Sequence, residues 1–291
     1  MPSAARVDLN DLGSMVEWLL GQWWTYAIVG VIVVIVLVVL LLPTPKVKAH
    51  PGFPVDGREA NELALGLLQV RSEPGALWND PTASYFTVND LKEVVSQWGV
   101  ATREEWLAGI QRLVVGRRRR DHWQIYLTVR TDLTQRLGRA PKTREWLAGI
   151  IEVGGSGKRD DKAFVTAVHD IEARVRKAVG KSVLPLSVVG TSFDGYALGQ
   201  AVALTTWGVA LGHSDEAEAR RIIREINATA RAEFTSWAHF GLSYNLGRIM
   251  HWTDGSPDDK TYEHLAVPVR EFKTASTAKL NGPWAALPWN L

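Results

Sequence analysis

Residues 214–252 read SDEAEARRIIREINATARAEFTSWAHFGLSYNLGRIMHW, and this stretch decides the fold class. Apolar side chains recur in it every three or four residues, which is the period of an α-helix. On such a helix Trp237, Tyr244 and Arg248 lie along one stripe, and Trp252 follows. The stripe predicts a binding groove formed by these four residues. The same pattern also describes a core helix with one arginine extending to water.

Helical patterns fill most of the chain on either side of this stretch, so we expect the other helices to pack around it. Thr87-x-x-Asp90 and Thr102-x-x-Glu105 are capping boxes that begin two helices, and Gly99 is a stop signal between them. The sequence therefore predicts a mainly α, compact, multi-helix globular domain over residues 58–291.

One hexamer occurs twice in this domain. Glu-Trp-Leu-Ala-Gly-Ile spans residues 105–110 and returns at residues 145–150. A solenoid needs several stacked repeats, so two copies do not indicate one. The repetition is typical of recurring helix-turn-helix hairpins, and chance or a local duplication explains it equally well.

The N-terminal part of the chain carries a candidate membrane anchor. Residues 27–42 are uncharged and apolar, and counting from Trp23 gives a helix of about 30 Å, the thickness of a bilayer core. We predict a single transmembrane helix over residues 23–42, preceded by a short extracytoplasmic segment, 1–22, and followed by a Pro/Gly-rich linker, 43–57. The alternatives are a cleaved signal peptide, which normally has a more basic N-terminus, and a buried core helix.

Flanking charges predict the orientation of this anchor in the cell membrane. Lys46, Lys48 and Arg58 follow the apolar run, whereas Arg6 is the basic residue before it. Because basic flanks stay on the cytoplasmic side, the helical domain is predicted to be cytoplasmic. The predicted partner of residues 23–42 is the lipid bilayer.

Composition excludes several functions. The chain of 291 residues contains no cysteine, so disulfides, thiolate metal sites and cysteine nucleophiles are absent. Its net charge of +2 is too small for an obligate nucleic-acid binder. The histidines lack metal-ligand spacing, and the loop 154–159 departs from the phosphate-loop pattern. We therefore predict no metal and no cofactor.

Residues 183–194 contain a weak hydrolase signal. Residues 183–189 are β-like, and Gly190-Thr191-Ser192-Phe193-Asp194 then resembles a nucleophile elbow in which Asp194 replaces the final glycine. Thr191 or Ser192 as a helix N-cap explains the same pattern. Asp194, His239 and Arg248 are the weak catalytic candidates of a hydrolase or effector-type enzyme.

A run of four arginines is the most basic feature. Arg117, Arg118, Arg119 and Arg120 form a candidate basic patch for anionic lipid or nucleic acid. A solvated loop at a helix C-terminus is the alternative, since cations are favourable there.

The C-terminal residues 281–291, NGPWAALPWNL, place Trp284 and Trp289 each after a proline. We expect both indoles to dock on the helical core; a lid over a site near Arg248 or a peptide for a partner are the alternatives.

Six motifs recur in one known family: Trp98-Gly99-Val100, Trp207-Gly208, Ser214-x-Glu216-Ala217, Ser236-Trp237, Tyr244-x-x-Gly247-Arg248-x-x-x-Trp252 and the Pro-Trp tail. Together they resemble the bacterial DUF1266 family, a domain of unknown function, over roughly residues 90–291. The resemblance implies a fold but no reaction. This family often has Asp-x-x-Arg before its second Trp-Gly, where this chain has Ala197 and Gln200, so a polar pair is missing. With no complete catalytic motif, we expect a protein-interaction module with a protein partner.

Overall fold

The computed structural model describes residue 31, residues 46–71, residue 73 and residues 75–290. The predicted segment 1–22 lies outside the described residues, and so does the predicted span 23–42 apart from Val31. Within the described ranges, no helix combines the length and the apolar character that a membrane crossing requires. Residues 46–291 are a unit of their own, and the fold below is that of this unit.

The unit is built from α-helices, as the sequence periodicity predicted, and the part of it that the structure describes contains no β-strand. A π-helical turn, Arg112–Gly116, follows the fourth helix directly, and a 3-10 turn, Ala278–Leu280, precedes the last one. The helices are α1 (Gly57–Ala64), α2 (Leu67–Val70), α3 (Val88–Trp98), α4 (Arg103–Gln111), α5 (Asp121–Leu137), α6 (Thr143–Glu152), α7 (Arg159–Val179), α8 (Asp194–Ala210), α9 (Glu216–Glu233), α10 (Trp237–Trp252), α11 (Asp259–Ala275) and α12 (Pro283–Ala286).

Helix α8 lies at the centre of the unit. Its residues from Asp194 through Gly208 are all buried, and α4, α9 and α10 contact it. Small and apolar residues cover every face of this helix, which is typical of a helix buried on all sides. Gly208 is required there because a Cβ atom would overlap the ring of Trp106. The expectation that the other helices pack around the 214–252 stretch was therefore wrong, since that stretch packs against α8.

The 214–252 stretch also forms two helices, α9 and α10, rather than one. The chain leaves helical geometry at Phe234, whose backbone is extended with φ −107° and ψ 148°. Ser236 then begins α10 as its N-cap, and its hydroxyl accepts a hydrogen bond from the His239 amide at 3.1 Å. The cap satisfies an amide that a helix start leaves unpaired, so the break is stable.

The helix signals around α3 and α4 are confirmed. The Thr87 hydroxyl accepts from the Asp90 amide at 3.3 Å, and the Thr102 hydroxyl accepts from the Glu105 amide at 3.2 Å. Both acidic side chains complete a capping box. Gly99 ends α3 in the left-handed region, with φ 61°, which costs glycine no steric strain.

The two copies of the repeated hexamer have the same structural role. One lies in α4 and the other in α6, and Trp106 and Trp146 are both fully buried. Each indole donates a hydrogen bond of 2.8 Å to a backbone carbonyl, that of Leu204 for Trp106 and that of Tyr126 for Trp146. Each hexamer therefore anchors a short helix to a longer neighbouring one.

The β-like interpretation of residues 183–189 was wrong, because this segment consists of turns and irregular backbone. Its carbonyl groups are satisfied by a side chain instead of a neighbouring strand. The Arg176 guanidinium donates to the carbonyls of Leu184 and Val188, both at 2.9 Å, and to that of Pro185. With these acceptors paired, the segment needs no sheet.

The C-terminal segment docks on the core as predicted. The ring of Trp284 stacks on that of Trp237 with centroids 5.0 Å apart, and its indole donates to the Ala64 carbonyl at 2.9 Å. The Trp289 indole donates to the Phe234 carbonyl at 2.8 Å. The two tryptophans therefore cover the start of α10.

Candidate functional site

The predicted groove on α10 does not form. Trp237 and Tyr244 are buried, whereas the side chain of Trp252 is 62% exposed. The docked tail covers Trp237, and the Tyr244 hydroxyl donates to Gln69 at 2.9 Å inside the core. Helix α10 is covered on both sides, so its aromatic stripe is packing rather than a groove.

Arg248 lies at the edge of this core. Its guanidinium is 5.9 Å from the centre of the Tyr196 ring, and its buried Nε has no hydrogen-bond partner among the described residues. Its charge lies near Glu73, a half-buried carboxyl group. Burial and the nearby carboxylates of Glu93 and Asp90 raise the pKa of Glu73, and Arg248 opposes that rise.

The four consecutive arginines do not form one free basic patch, because three of them are paired with carboxylates. Arg117 bridges Asp194 at 2.8 Å and Glu233 at 2.6 Å. Arg119 also binds Asp194, and Arg120 binds Asp254. The predicted patch is thus largely neutralised within the fold.

Asp194 and Glu233 form the centre of what we call the arginine–carboxylate cluster, together with Arg117, Arg119 and Ser192. Asp194 is only 1% exposed, and Ser192 donates to Glu233 at 2.5 Å. Burial and the neighbouring Asp194 carboxylate raise the pKa of Glu233. Ser192 also accepts from the Asp194 amide at 3.0 Å, so it holds the start of α8 without being the N-cap residue itself.

The three weak catalytic candidates do not converge. Asp194 contacts Arg117 and Arg119, whereas the His239 ring lies 3.3 Å from the Thr191 hydroxyl. Among the described residues, no hydrogen bond joins any two of Asp194, His239 and Arg248. No group of three or more His, Asp or Glu side chains in the described ranges is placed to hold a metal ion.

The backbone before and within the arginine run is unusual. The π-helical turn Arg112–Gly116 leads into Arg117 and Arg118, with φ 48° and φ 53°. Two successive non-glycine residues in the left-handed region are rare, and strained backbone and π-turns concentrate at functional sites. The strained backbone makes this segment a candidate functional site.

A cavity of about 690 Å³ opens beside this turn, and we call it the arginine cleft. It lies between the end of α3, the second half of α4, the π-helical turn and Arg118. Its lining residues are Gln97, Trp98, Ala108, Gly109, Gln111, Arg112, Leu113, Val115, Gly116 and Arg118.

The charged residues that line the arginine cleft are both cations. Arg112 is exposed and makes no ion pair with any described residue. Arg118 donates to the neutral Gln200 side chain at 2.7 Å and contacts the His251 ring at 3.0 Å. Its guanidinium also lies 5.9 Å from the centre of a ring of Trp98. The cleft therefore combines two guanidinium groups with an indole and has no carboxylate in its lining.

His251 is the neutral acceptor in its contact with Arg118. Burial and the charges of Arg118 and Arg120 lower the pKa of His251. Because arginine only donates hydrogen bonds, the ring nitrogen Nε2 must accept, which assigns the imidazole proton to Nδ1. The contact thus positions the Arg118 guanidinium without neutralising its charge.

These observations define the class of the protein: a helical domain in which a strained segment borders a cationic cleft. The family model for DUF1266, described as a protein of unknown function, matches residues 93–289. The chain belongs to the DUF1266 family. Comparison with curated proteins found no match, and neither did comparison with solved structures.

Proposed function

We propose that this protein is a membrane-tethered interaction module, and that its arginine cleft captures an acidic segment of a partner protein. One observation carries the proposal: Arg112 and Arg118 line a cavity and have no carboxylate partner among the described residues, whereas Arg117, Arg119 and Arg120 each have one. The fold compensates the neighbouring cations and leaves these two for a ligand.

The chemistry of the cleft favours a carboxylate that is attached to an apolar group. A guanidinium group presents a fork of donors that matches the two oxygens of a carboxylate. Trp98 gives an aromatic wall, and Val115, which is 70% exposed, gives an apolar edge. Tryptophan and arginine are also the residues that contribute most to protein interfaces. A short segment with glutamate or aspartate beside a large apolar residue satisfies all these groups.

The hydrolase alternative has less support. Both carboxylates of the arginine–carboxylate cluster are already engaged by Arg117, and Asp194 is engaged by Arg119 as well. These ion pairs occupy the Asp194 carboxylate, whose side chain is only 1% exposed, so it is closed to a substrate. Binding at the neighbouring cleft requires no rearrangement of this cluster.

The sequence supports the tether. The apolar residues 23–42 have the length of a bilayer span, and Lys46 and Lys48 follow them closely. We therefore propose that the domain of residues 58–291 is held at the cytoplasmic face of the cell membrane. An acidic segment of a partner near the same membrane would meet the cleft at a high effective concentration.

Peptide binding tests the cleft directly. The full-length chain in detergent micelles is titrated into fluorescein-labelled ten-residue peptides that contain glutamates around one leucine or phenylalanine, and into the same peptides with glutamine. We expect the glutamate peptides to bind more tightly, and Arg112→Ala or Arg118→Ala to weaken binding about tenfold.

Arg144→Ala is the matched control, because Arg144 is an exposed arginine of α6 with no ion pair to a described residue. We expect it to bind like the wild type. Equal affinity for glutamate and glutamine peptides, or unchanged binding by Arg112→Ala, would contradict the proposal.

A further inference from the structure

A second cavity, of about 630 Å³, lies between α5, α7 and the irregular segment 180–190, and it shares no lining residue with the arginine cleft. We call it the α7 cavity. Basic residues dominate its charged lining. The lining residues are Arg130, Ala140, His169, Glu172, Ala173, Arg176, Lys177, Gly180, Lys181 and Leu186.

The floor of the α7 cavity holds one carboxylate between two guanidinium groups. Glu172 accepts from Arg130 at 2.7 Å through Oε2 and from Arg176 at 2.7 Å through Oε1. Burial on its own would raise the pKa of Glu172, but the two arginines lower it, so the carboxylate is ionised. Two cations on one anion leave the floor with a net positive charge.

Arg130 is the group that is left incompletely compensated. Its side chain is 0% exposed, and two of its nitrogens donate to Glu172 and to the Gly190 carbonyl. Its Nε has no partner among the described residues, although the guanidinium lies 4.7 Å from the centre of the Trp146 ring. Arg130 therefore adds uncompensated positive charge to the floor, although its side chain is closed to solvent.

Arg176 and His169 are already fixed by the fold. Arg176 donates to the carbonyls of Leu184 and Val188 and so holds the segment that carries Leu186. The His169 ring lies 3.1 Å from the Thr143 hydroxyl, and burial and Arg130 lower its pKa. These two residues form part of the wall of the α7 cavity, and their hydrogen bonds are already made within the fold.

The mouth of the α7 cavity adds two free cations. Lys177 and Lys181 are exposed, and neither makes an ion pair with a described residue. Ala140, Ala173 and Leu186 give the walls an apolar character. The cavity thus has a cationic floor, cationic groups at its mouth and apolar walls between them.

We propose that the α7 cavity is a binding site for a small organic anion that carries a phosphate or carboxylate group on an apolar body. The anionic group binds Lys177 and Lys181, which are exposed, and is attracted by the net positive charge of the floor beneath it, and the apolar body contacts Leu186 and the alanines. The volume is within the range of small-molecule sites, about 300–1000 Å³.

Phenyl phosphate is the probe. Two compounds serve as comparisons: inorganic phosphate, which lacks the aromatic ring, and benzyl alcohol, which lacks the phosphate group. Binding to the full-length chain in detergent micelles is measured by isothermal titration calorimetry. We expect phenyl phosphate to bind about tenfold more tightly than either comparison. No binding of phenyl phosphate, or binding no tighter than that of benzyl alcohol, would overturn the proposal.

The double variant Lys177→Ala/Lys181→Ala locates the site without disturbing the core, since both side chains are exposed. We expect it to weaken phenyl phosphate binding about tenfold. The matched control is Arg159→Ala/Lys162→Ala, which removes two other cations of α7 that line a different cavity. Equal affinity of the first double variant and the wild type would place the ligand elsewhere and overturn the proposal.

Discussion

At the scale of single residues, charge pairing explains what the arginine run does. Arg117 and Arg119 compensate Asp194, which is almost fully buried, whereas Arg120 pairs with the exposed Asp254. A buried carboxylate requires such partners, because desolvation disfavours its charged form. The run is therefore chiefly a structural clamp on the start of α8, and Arg118 is the member that lines the arginine cleft.

Replacing Asp194 tests this clamp. We expect Asp194→Ala to lower the free energy of unfolding by about 2–3 kcal/mol, because it removes the carboxylate partner of Arg119 and one of the two carboxylates that Arg117 binds. The matched change Asp254→Ala removes a partner that is 79% exposed and should cost less than about 1 kcal/mol. Urea unfolding measures both, and equal losses would contradict the account.

Partly buried histidines give the domain a pH dependence. Burial lowers the pKa of His239 from its usual 6.5, and it is also the first cause for His169 and His251. The unfolded chain then binds protons that the folded chain does not, so stability is present above pH 6.5 and is lost as the pH falls through the folded pKa. We expect His239→Asn to lose less stability than the wild type between about pH 8 and pH 5.5. An identical pH profile in urea unfolding would show that His239 does not contribute.

At the scale of secondary structure elements, local signals were predictable and packing was not. The capping boxes at Thr87 and Thr102 were read correctly because a cap is made within four residues. The central position of α8 was missed, since a helix that is apolar on all faces has no periodic pattern. The arginine cleft was missed because Arg112 and Trp98 are separated in sequence and meet only through the fold.

Residues 183–189 show that amino-acid composition alone does not predict a β-strand reliably. Their valines favour a strand, but a strand needs a neighbour, and here Arg176 supplies the hydrogen-bond donors. The predicted groove on α10 was wrong for a related reason. The tail that covers Trp237 is distant in sequence, so no local pattern reveals the contact. No sequence pattern predicts a π-helical turn followed by two arginines in the left-handed backbone region.

Docking of the C-terminal segment adds two buried tryptophans to the core. Trp289 is buried, donates to the Phe234 carbonyl and lies edge-on to the Trp237 ring, and Arg231 covers its face at 3.8 Å. We expect Trp289→Ala to lower the free energy of unfolding by about 3 kcal/mol, as is usual when a buried aromatic ring is removed. Trp252→Ala is the control, and its exposed indole should cost about 1 kcal/mol or less. A small effect at Trp289 in urea unfolding would mean that the tail is not docked in solution.

At the scale of the whole molecule, a proposed membrane tether precedes a folded unit of residues 46–291. The fold belongs to the DUF1266 family over most of this unit. Its two cationic cavities are distinct, because Arg112 and Arg118 line one and Lys177 and Lys181 line the other. Cations without carboxylate partners are thus the structural feature on which both proposed binding sites are based.

Fractionation tests the tether. We expect the full-length chain to sediment with membranes and to need detergent for release, because residues 23–42 have the length of a bilayer span. Deleting these residues should leave the domain in the supernatant after ultracentrifugation. Release of the full-length chain by high salt alone would indicate a peripheral association and contradict the tether.

The arginine cleft is tested most directly by a double-mutant cycle between Arg118 and one glutamate of a bound acidic peptide. Affinities are measured for the wild type and Arg118→Ala, each with the glutamate peptide and its glutamine counterpart. Contact between the two groups predicts a coupling free energy of about 1.5 kcal/mol or more. Additive effects of the two changes would show that the groups do not meet and would contradict binding of the acidic segment in this cleft.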